Sequence, residues 1–194
     1  MPSLARNIME KIDERYLSSV NARTVKGSDI HLLLICFHDY DGTGAELPDG
    51  TVIRPGDRVV ELHLSNKKIA SYGENQGKSA EWQVLQDLRK EFSLLAQEVK
   101  DGSIPDEIQG FYGINVLPAG ARRLGFTLIP LPSGWNRTWL AFWESLIRRI
   151  FYSYRPDKKT DFKKTKDAYE IWMSRDGLVS RYGKDKTDDI QTVK

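Results

Sequence analysis

Residues 56–66, GDRVVELHLSN, read as one extended strand. Val60, Leu62 and Leu64 fall on one face and Glu61, His63 and Ser65 on the other, the period-two alternation of a strand with one buried side. Pro55-Gly56-Asp57 punctuates its start and Ser65-Asn66 its end. Such a strand needs partners in a sheet and a layer to cover its apolar face. The flanking sequence supplies strands. His31 to Phe37 (HLLLICF) is short and apolar on both faces, as a central strand buried on both sides would be. DYDGTGAELPDGT is turn material, and Val52-Ile53 reads as a short edge strand. With hairpin-type turns at Asp49-Gly50 and Pro55-Gly56-Asp57, residues 30–65 predict an antiparallel meander.

Helical patterns surround these strands. Ser3 caps an amphipathic helix over 4–20, in which Ala5, Met9, Ile12 and Tyr16 recur at helical spacing. Residues 66–78 read as a loop. Ser79 caps a long helix over 80–100 with a stripe of Trp82, Leu85, Leu88, Phe92, Leu95 and Val99, stopped at Gly102. Strands at 110–116 and 125–130 flank a tight turn or short helix at 118–124, and a second long helix covers 136–154. A lysine-rich linker occupies 155–167, Tyr169, Ile171 and Met173 alternate as a last strand, and Ser174 caps a final helix ending at Gly183. The expectation is a single α+β domain over 1–183, with its core at 28–183 and a flexible tail at 184–194. It holds a mixed, mainly antiparallel sheet of about six strands covered by helices.

With 40% hydrophobic and 29% charged residues the chain is globular, and a net charge of +2 excludes a polyanion-binding protein as a whole. Cys36 is the single cysteine and cannot form an internal disulfide, which fits a reducing compartment. Charges run through the N-terminal stretch where a signal peptide needs an apolar segment, and no window has the ~18 uninterrupted apolar residues of a membrane span. The expected location is cytoplasmic, with peripheral attachment to the membrane as an option.

Three segments taken together resemble a known family. DGTVIRPGDRVVELHLSN, GFYGINVLPAGARRLGFTLIPLP and YEIWMSRDGLVSRYG, with the motifs LHLxN, GAxRLGF and MSxxxLxxRYG, are similar to the YkoP-like family of bacteria over about residues 28–183. That family is largely uncharacterised, and its members occur alone or attached to polysaccharide deacetylases. The resemblance implies a compact accessory domain mixing helices and strands, with a tie to the cell envelope. It carries over no catalytic residues.

Four groups of residues could carry chemistry. Glu61 and His63, two apart on one strand face, are close enough for a carboxylate to orient an imidazole as general base. Ser65 shares that face but has no nucleophile-elbow motif around it. Alternation alone predicts polar residues there, so the sequence favours a partly covered polar face, with His63 hydrogen-bonded in place, over a catalytic pair. No metal site and no cofactor is expected. His31 and His38 lie seven apart, an odd offset that sends them to opposite faces of one strand, so the two cannot easily converge together with His63. Asp39 to Gly44 begins like a calcium loop, but Thr43 stands at its fifth position and Gly50 at its twelfth.

The remaining groups are basic. In PAGARRLGF, Gly120, Arg122 and Arg123 at the start of a helical turn could hold an anion through backbone N–H groups and guanidiniums; solvated arginines in a tight connection is the preferred alternative. Between Arg148 and Lys166 stand eight basic residues, among them Arg148, Arg149, Lys158, Lys159, Lys163 and Lys164, against two acidic ones. This net +6 leaves −4 for the rest of the chain, an asymmetry suited to anionic surfaces, and the preceding helix carries Trp139, Phe142 and Trp143. A core helix followed by a solvated linker accounts for the same residues.

Two functions follow. The first is a non-catalytic accessory or binding module whose basic strip engages an anionic envelope component, a lipid headgroup or charged glycan. The second is a small enzyme acting on an envelope lipid or saccharide, with His63 as base, Glu61 orienting it and Arg122 or Arg123 binding an anionic group. Nucleic acid is not an expected partner, since no recognition motif is present.

Overall fold

A computed structural model describes residue 11 and residues 15–72, 80–115, 118–131 and 169–184. The long helix expected at 136–154, the basic strip 148–166 and the tail beyond residue 184 lie outside the described residues. Six strands form the main sheet in the order β1 (Arg23–Thr24), β2 (Leu33–Asp39), β5 (Arg58–Leu64), β6 (Gly110–Asn115), β8 (Tyr169–Ser174) and β7 (Thr127–Pro130). Among the described residues only β5 and β6 run parallel; every other neighbouring pair is antiparallel. A parallel pair needs a long crossover. Helices α1 (Asn66–Tyr72) and α2 (Ala80–Lys100) supply it, while α3 (Pro118–Arg123) precedes β7 and α4 (Arg175–Tyr182) follows β8. The mixed, mainly antiparallel sheet with helices is the α+β architecture expected.

Particular elements depart from expectation. Residues 30–65 are not one meander: β2 pairs directly with β5, and the intervening β3 (Ala45–Glu46) and β4 (Val52–Ile53) make a separate two-stranded sheet. The stretch expected as a loop after β5 begins with a helix. Ser65 is its cap, its hydroxyl accepting from Lys68 N–H at 3.3 Å and its carbonyl from Ile69 N–H at 2.9 Å. Of the N-terminal helix, residues 15–19 are described and helical. Strand β1 was carried by no sequence signal. The last helix starts as expected, with the Ser174 hydroxyl accepting from Gly177 N–H.

The sheet's two faces are covered differently. Leu33, Ile35, Val60, Phe111 and Met173 share one face and pack with Leu88, Phe92, Leu95, Ala96 and Val99 of α2 and Leu178 of α4 in the main core. Trp82, expected in that stripe, is half exposed instead. Two buried carboxyl groups tie α2 to the chain before β2. Glu98 meets the Arg23 guanidinium at 2.6 and 3.3 Å and accepts from Lys26 N–H at 2.7 Å; Glu91 accepts from the Ser28 hydroxyl and from Leu33 N–H at 2.7 Å.

The opposite face carries Cys36, His38, Val59, Glu61, His63, Tyr112, Glu170 and Trp172, since residues paired across a ladder point to the same side. The β3–β4 hairpin covers the Val59–Tyr112–Trp172 part of it with Ala45, Leu47 and Ile53, and Tyr40 folds in beside them. Gly42 permits this: a Cβ there would run into the Tyr40 ring. The polar remainder of this face is the candidate site.

Candidate functional site

Backbone register builds the site. Glu61 and His63 alternate onto one face of β5, as their spacing predicts. On β2, Cys36 stands opposite Glu61, and Leu34 opposite His63, so Cys36 and His38 join the same face. One oxygen of Glu61 then meets three neighbours: Oε2 lies 3.4 Å from His63 Nε2, 3.7 Å from Cys36 Sγ and 4.0 Å from His38 Nε2. Cys36 Sγ is also 3.6 Å from His63 Nε2. The thiol is buried at the bottom, whereas 19% of the His63 side chain and 34% of His38 reach solvent. The histidines thus form the solvent-facing side of the cluster.

Aromatic rings fix the surroundings. The Tyr112 hydroxyl hydrogen-bonds His38 Nε2 at 2.8 Å, and the two rings stack at 5.5 Å. Tyr112 in turn stacks on Trp172 at 4.7 Å, and Tyr40 meets Trp172 edge-on at 5.0 Å. Glu170 Oε2 accepts from Tyr40 O–H and from Trp172 Nε1–H, both at 2.9 Å, which closes this layer. The Tyr16 ring meets the His63 ring in a T-shaped contact at 5.5 Å. His38 is thus held in place by a buried stack rather than left to rotate.

The electrostatics distinguish the acidic members. Burial pushes the Glu61 carboxyl up, but the hydrogen bond and charge of His63, the charge of His38 and the bond from Cys36 outweigh it and hold the group below its ordinary value. Burial, and then the Glu61 charge, push the Cys36 thiol up to about 12. Burial, then Glu61, likewise pushes Tyr112 up.

The thiol is accordingly no ready nucleophile. In a Cys–His–carboxylate relay the acid and the nucleophile contact different ring nitrogens. Here Cys36 and Glu61 contact the same one, Nε2 of His63. In chelator-treated protein, iodoacetamide should alkylate Cys36 at least about 100-fold more slowly than a free thiol, because the thiolate is the reacting form. Glu61→Gln removes the opposing charge and should speed the reaction. Mass spectrometry of the modified protein measures both, and alkylation at the free-thiol rate would contradict this account of the site.

The other expected site residues do not gather here. Arg122 and Arg123 are exposed and occupy the last turn of α3, not its first, so the backbone groups beside them are carbonyls rather than N–H donors, and these already accept from Gly125 N–H and the Arg181 guanidinium. That helix packs through Ala121 and Leu124 into the core on the far side of the sheet, which separates both arginines from His63. His31 precedes β2 with φ of 57°, so the strand offset from His31 to His38 does not apply. Instead His38 and His63 come to one carboxylate. Among the described residues, Cys36, Glu61 and His63 are a group whose ligand atoms could hold a metal ion. Arg148, Arg149, Lys158, Lys159, Lys163 and Lys164 lie outside the described residues.

No described helix is long and apolar enough to cross a membrane. No solved structure matches the chain. Among curated proteins, the "Uncharacterized protein YkoP" of Bacillus subtilis (strain 168) is 24% identical over 147 residues, which is 75% of this chain and 78% of that protein. The YkoP domain matches residues 3–182, further toward the N-terminus than the sequence motifs reach. That span takes in all six strands of the sheet together with Cys36, His38, Glu61 and His63, and the chain belongs to the YkoP domain family.

Proposed function

We propose that the open face of the sheet is the active site of a small hydrolytic enzyme, with His63 as general base. Glu61 stabilises the imidazolium that forms when His63 takes a proton from water or a hydroxyl group. His38, held by Tyr112, stands ready to return a proton. The observation that carries this reading is the company Glu61 keeps. The buried carboxyls Glu91 and Glu98 accept backbone N–H donors and do the work of tying segments together. Glu61 has two imidazoles and a thiol around it, groups that move protons or bind ions. A panel of chromogenic substrates, p-nitrophenyl acetate and bis-p-nitrophenyl phosphate, tests it. Turnover by the wild type, lost in folded His63→Ala and Glu61→Gln, supports the reading. Equal turnover in the variants, or none by the wild type, counts against it.

A second reading, an accessory module held to an anionic envelope component, draws on the net +6 between Arg148 and Lys166. It is compatible with the first, since a surface-attached enzyme needs both parts. Sedimentation with neutral and anionic vesicles at low and high salt tests it. Binding only to anionic vesicles, lost with salt and on neutralising Lys158, Lys159, Lys163 and Lys164, is the result expected.

A further inference from the structure

The separations within the cluster are too long for direct hydrogen bonds of the strong kind. An ionised carboxylate and an imidazolium in contact sit about 2.8 Å apart, and the neighbouring Tyr112–His38 pair does close to 2.8 Å. Glu61 and His63 stop at 3.4 Å, although both side chains belong to the same strand.

A shared cation accounts for that spacing. Tetrahedral zinc bonds sulfur at about 2.3 Å and nitrogen or oxygen at about 2.1 Å, so the edges of its ligand tetrahedron are about 3.6 Å from sulfur to either other atom and about 3.4 Å from nitrogen to oxygen. The structure has 3.6 Å from Cys36 Sγ to His63 Nε2, 3.7 Å from Cys36 Sγ to Glu61 Oε2, and 3.4 Å from His63 Nε2 to Glu61 Oε2. All three edges agree to within about 0.1 Å with that geometry. The donor types agree as well: a sulfur, an imidazole nitrogen and a carboxylate oxygen suit zinc far better than magnesium or calcium, which take oxygen.

We infer that Cys36, Glu61 and His63 are the three protein ligands of a tetrahedral zinc-class divalent cation on the open face of the sheet. Three protein ligands leave a fourth position, the pattern of catalytic rather than structural zinc sites. His38 Nε2, 4.0 Å from Glu61 Oε2 and hydrogen-bonded to Tyr112, lies beside the cluster and is not one of the three ligands. The inference deepens the hydrolytic reading, rests on it for its biological meaning, and changes one role in it: with Nε2 given to the cation, His63 no longer serves as the general base, and the cation instead would lower the pKa of a bound water and supply positive charge. Binding itself can be measured without any substrate.

Cobalt(II) added to the chelator-treated full chain is the probe. Tetrahedral coordination with a thiolate should give strong visible d–d bands and a near-ultraviolet sulfur-to-cobalt charge-transfer band, at one equivalent, displaced by zinc. Cys36→Ser should abolish the charge-transfer band, and His63→Ala should weaken binding by at least about 100-fold, the upper end of what loss of an outer-shell partner costs. His31→Ala, outside the cluster, should change neither. A wild-type spectrum with weak octahedral bands and no charge transfer would overturn the inference, whether or not the variants fold. So would binding that survives Cys36→Ser with its spectrum intact. If cobalt does not bind while p-nitrophenyl substrates are still turned over in a His63-dependent way, the metal assignment fails and the acid–base reading stands. Tetrahedral binding without any turnover would give the reverse.

Discussion

Trp172→Ala should lower the free energy of unfolding by about 3–5 kcal/mol, the range for truncating a fully buried tryptophan. Trp172 is completely buried and is the centre of the layer between the sheet and the β3–β4 hairpin. Its removal takes away the ring on which Tyr112 stacks and the edge contact of Tyr40, and it leaves Glu170 without its indole N–H donor. Aromatic pairs of this kind add about 0.5–1.5 kcal/mol each beyond the area they bury. Trp172→Phe keeps a ring in the stack and should cost much less. Urea unfolding followed by far-ultraviolet circular dichroism separates the two variants. The consequence reaches the site, because Tyr112 is what positions His38.

Glu91→Ala should cost about 3 kcal/mol by the same measurement. The residue is wholly buried in the middle of α2, and its two oxygens accept from Ser28 O–H and Leu33 N–H. Ser28 Oγ accepts in turn from Ile30 N–H at 3.1 Å and His31 N–H at 3.3 Å. One carboxyl group thus organises the turn that delivers the chain into β2, including the left-handed backbone of His31. Alanine leaves the Leu33 amide without its acceptor, at about 1–3 kcal/mol, and opens a cavity besides. Glu91→Gln keeps the shape and one acceptor oxygen, so it should fall between alanine and wild type. A Glu91→Ala variant as stable as the wild type would show that this network does not hold the entry to β2.

Half of the candidate site could be read from the sequence. The alternation of 58–64 puts Glu61 and His63 on one face, and they meet there. Cys36 was hidden, because HLLLICF looks apolar on both faces, and the register that brings it and His38 beside β5 is a long-range property. Counting from His31 misled further: that residue stands before the strand with a positive φ, so its offset to His38 carries no facing information. Five of the sheet's six strands were legible from strand patterns, whereas the two-residue β1 offered too little pattern to detect, and the expected edge strand Val52-Ile53 pairs with β3 in the second sheet instead. Helix α1 escaped because Ser65 reads equally as a strand terminus and as a cap, and only its bond to Lys68 N–H decides between them. In PAGARRLGF the arginines were placed at the wrong helix end: a helix that runs only from Pro118 to Arg123 puts both in its last turn.

The central claim is that Cys36, Glu61, His63 and His38 are kept together for chemistry rather than for the fold. Urea unfolding of the double variant Glu61→Met/His63→Leu, in chelator so that metal linkage does not contribute, tests it most directly. A polar cluster retained for function is stabilised when apolar side chains of similar volume replace it, or at worst unchanged. The account therefore predicts an unfolding midpoint equal to or above that of the wild type. A loss of more than about 2 kcal/mol would mean that the cluster is a structural network, its members needed to satisfy one another, and would contradict the account.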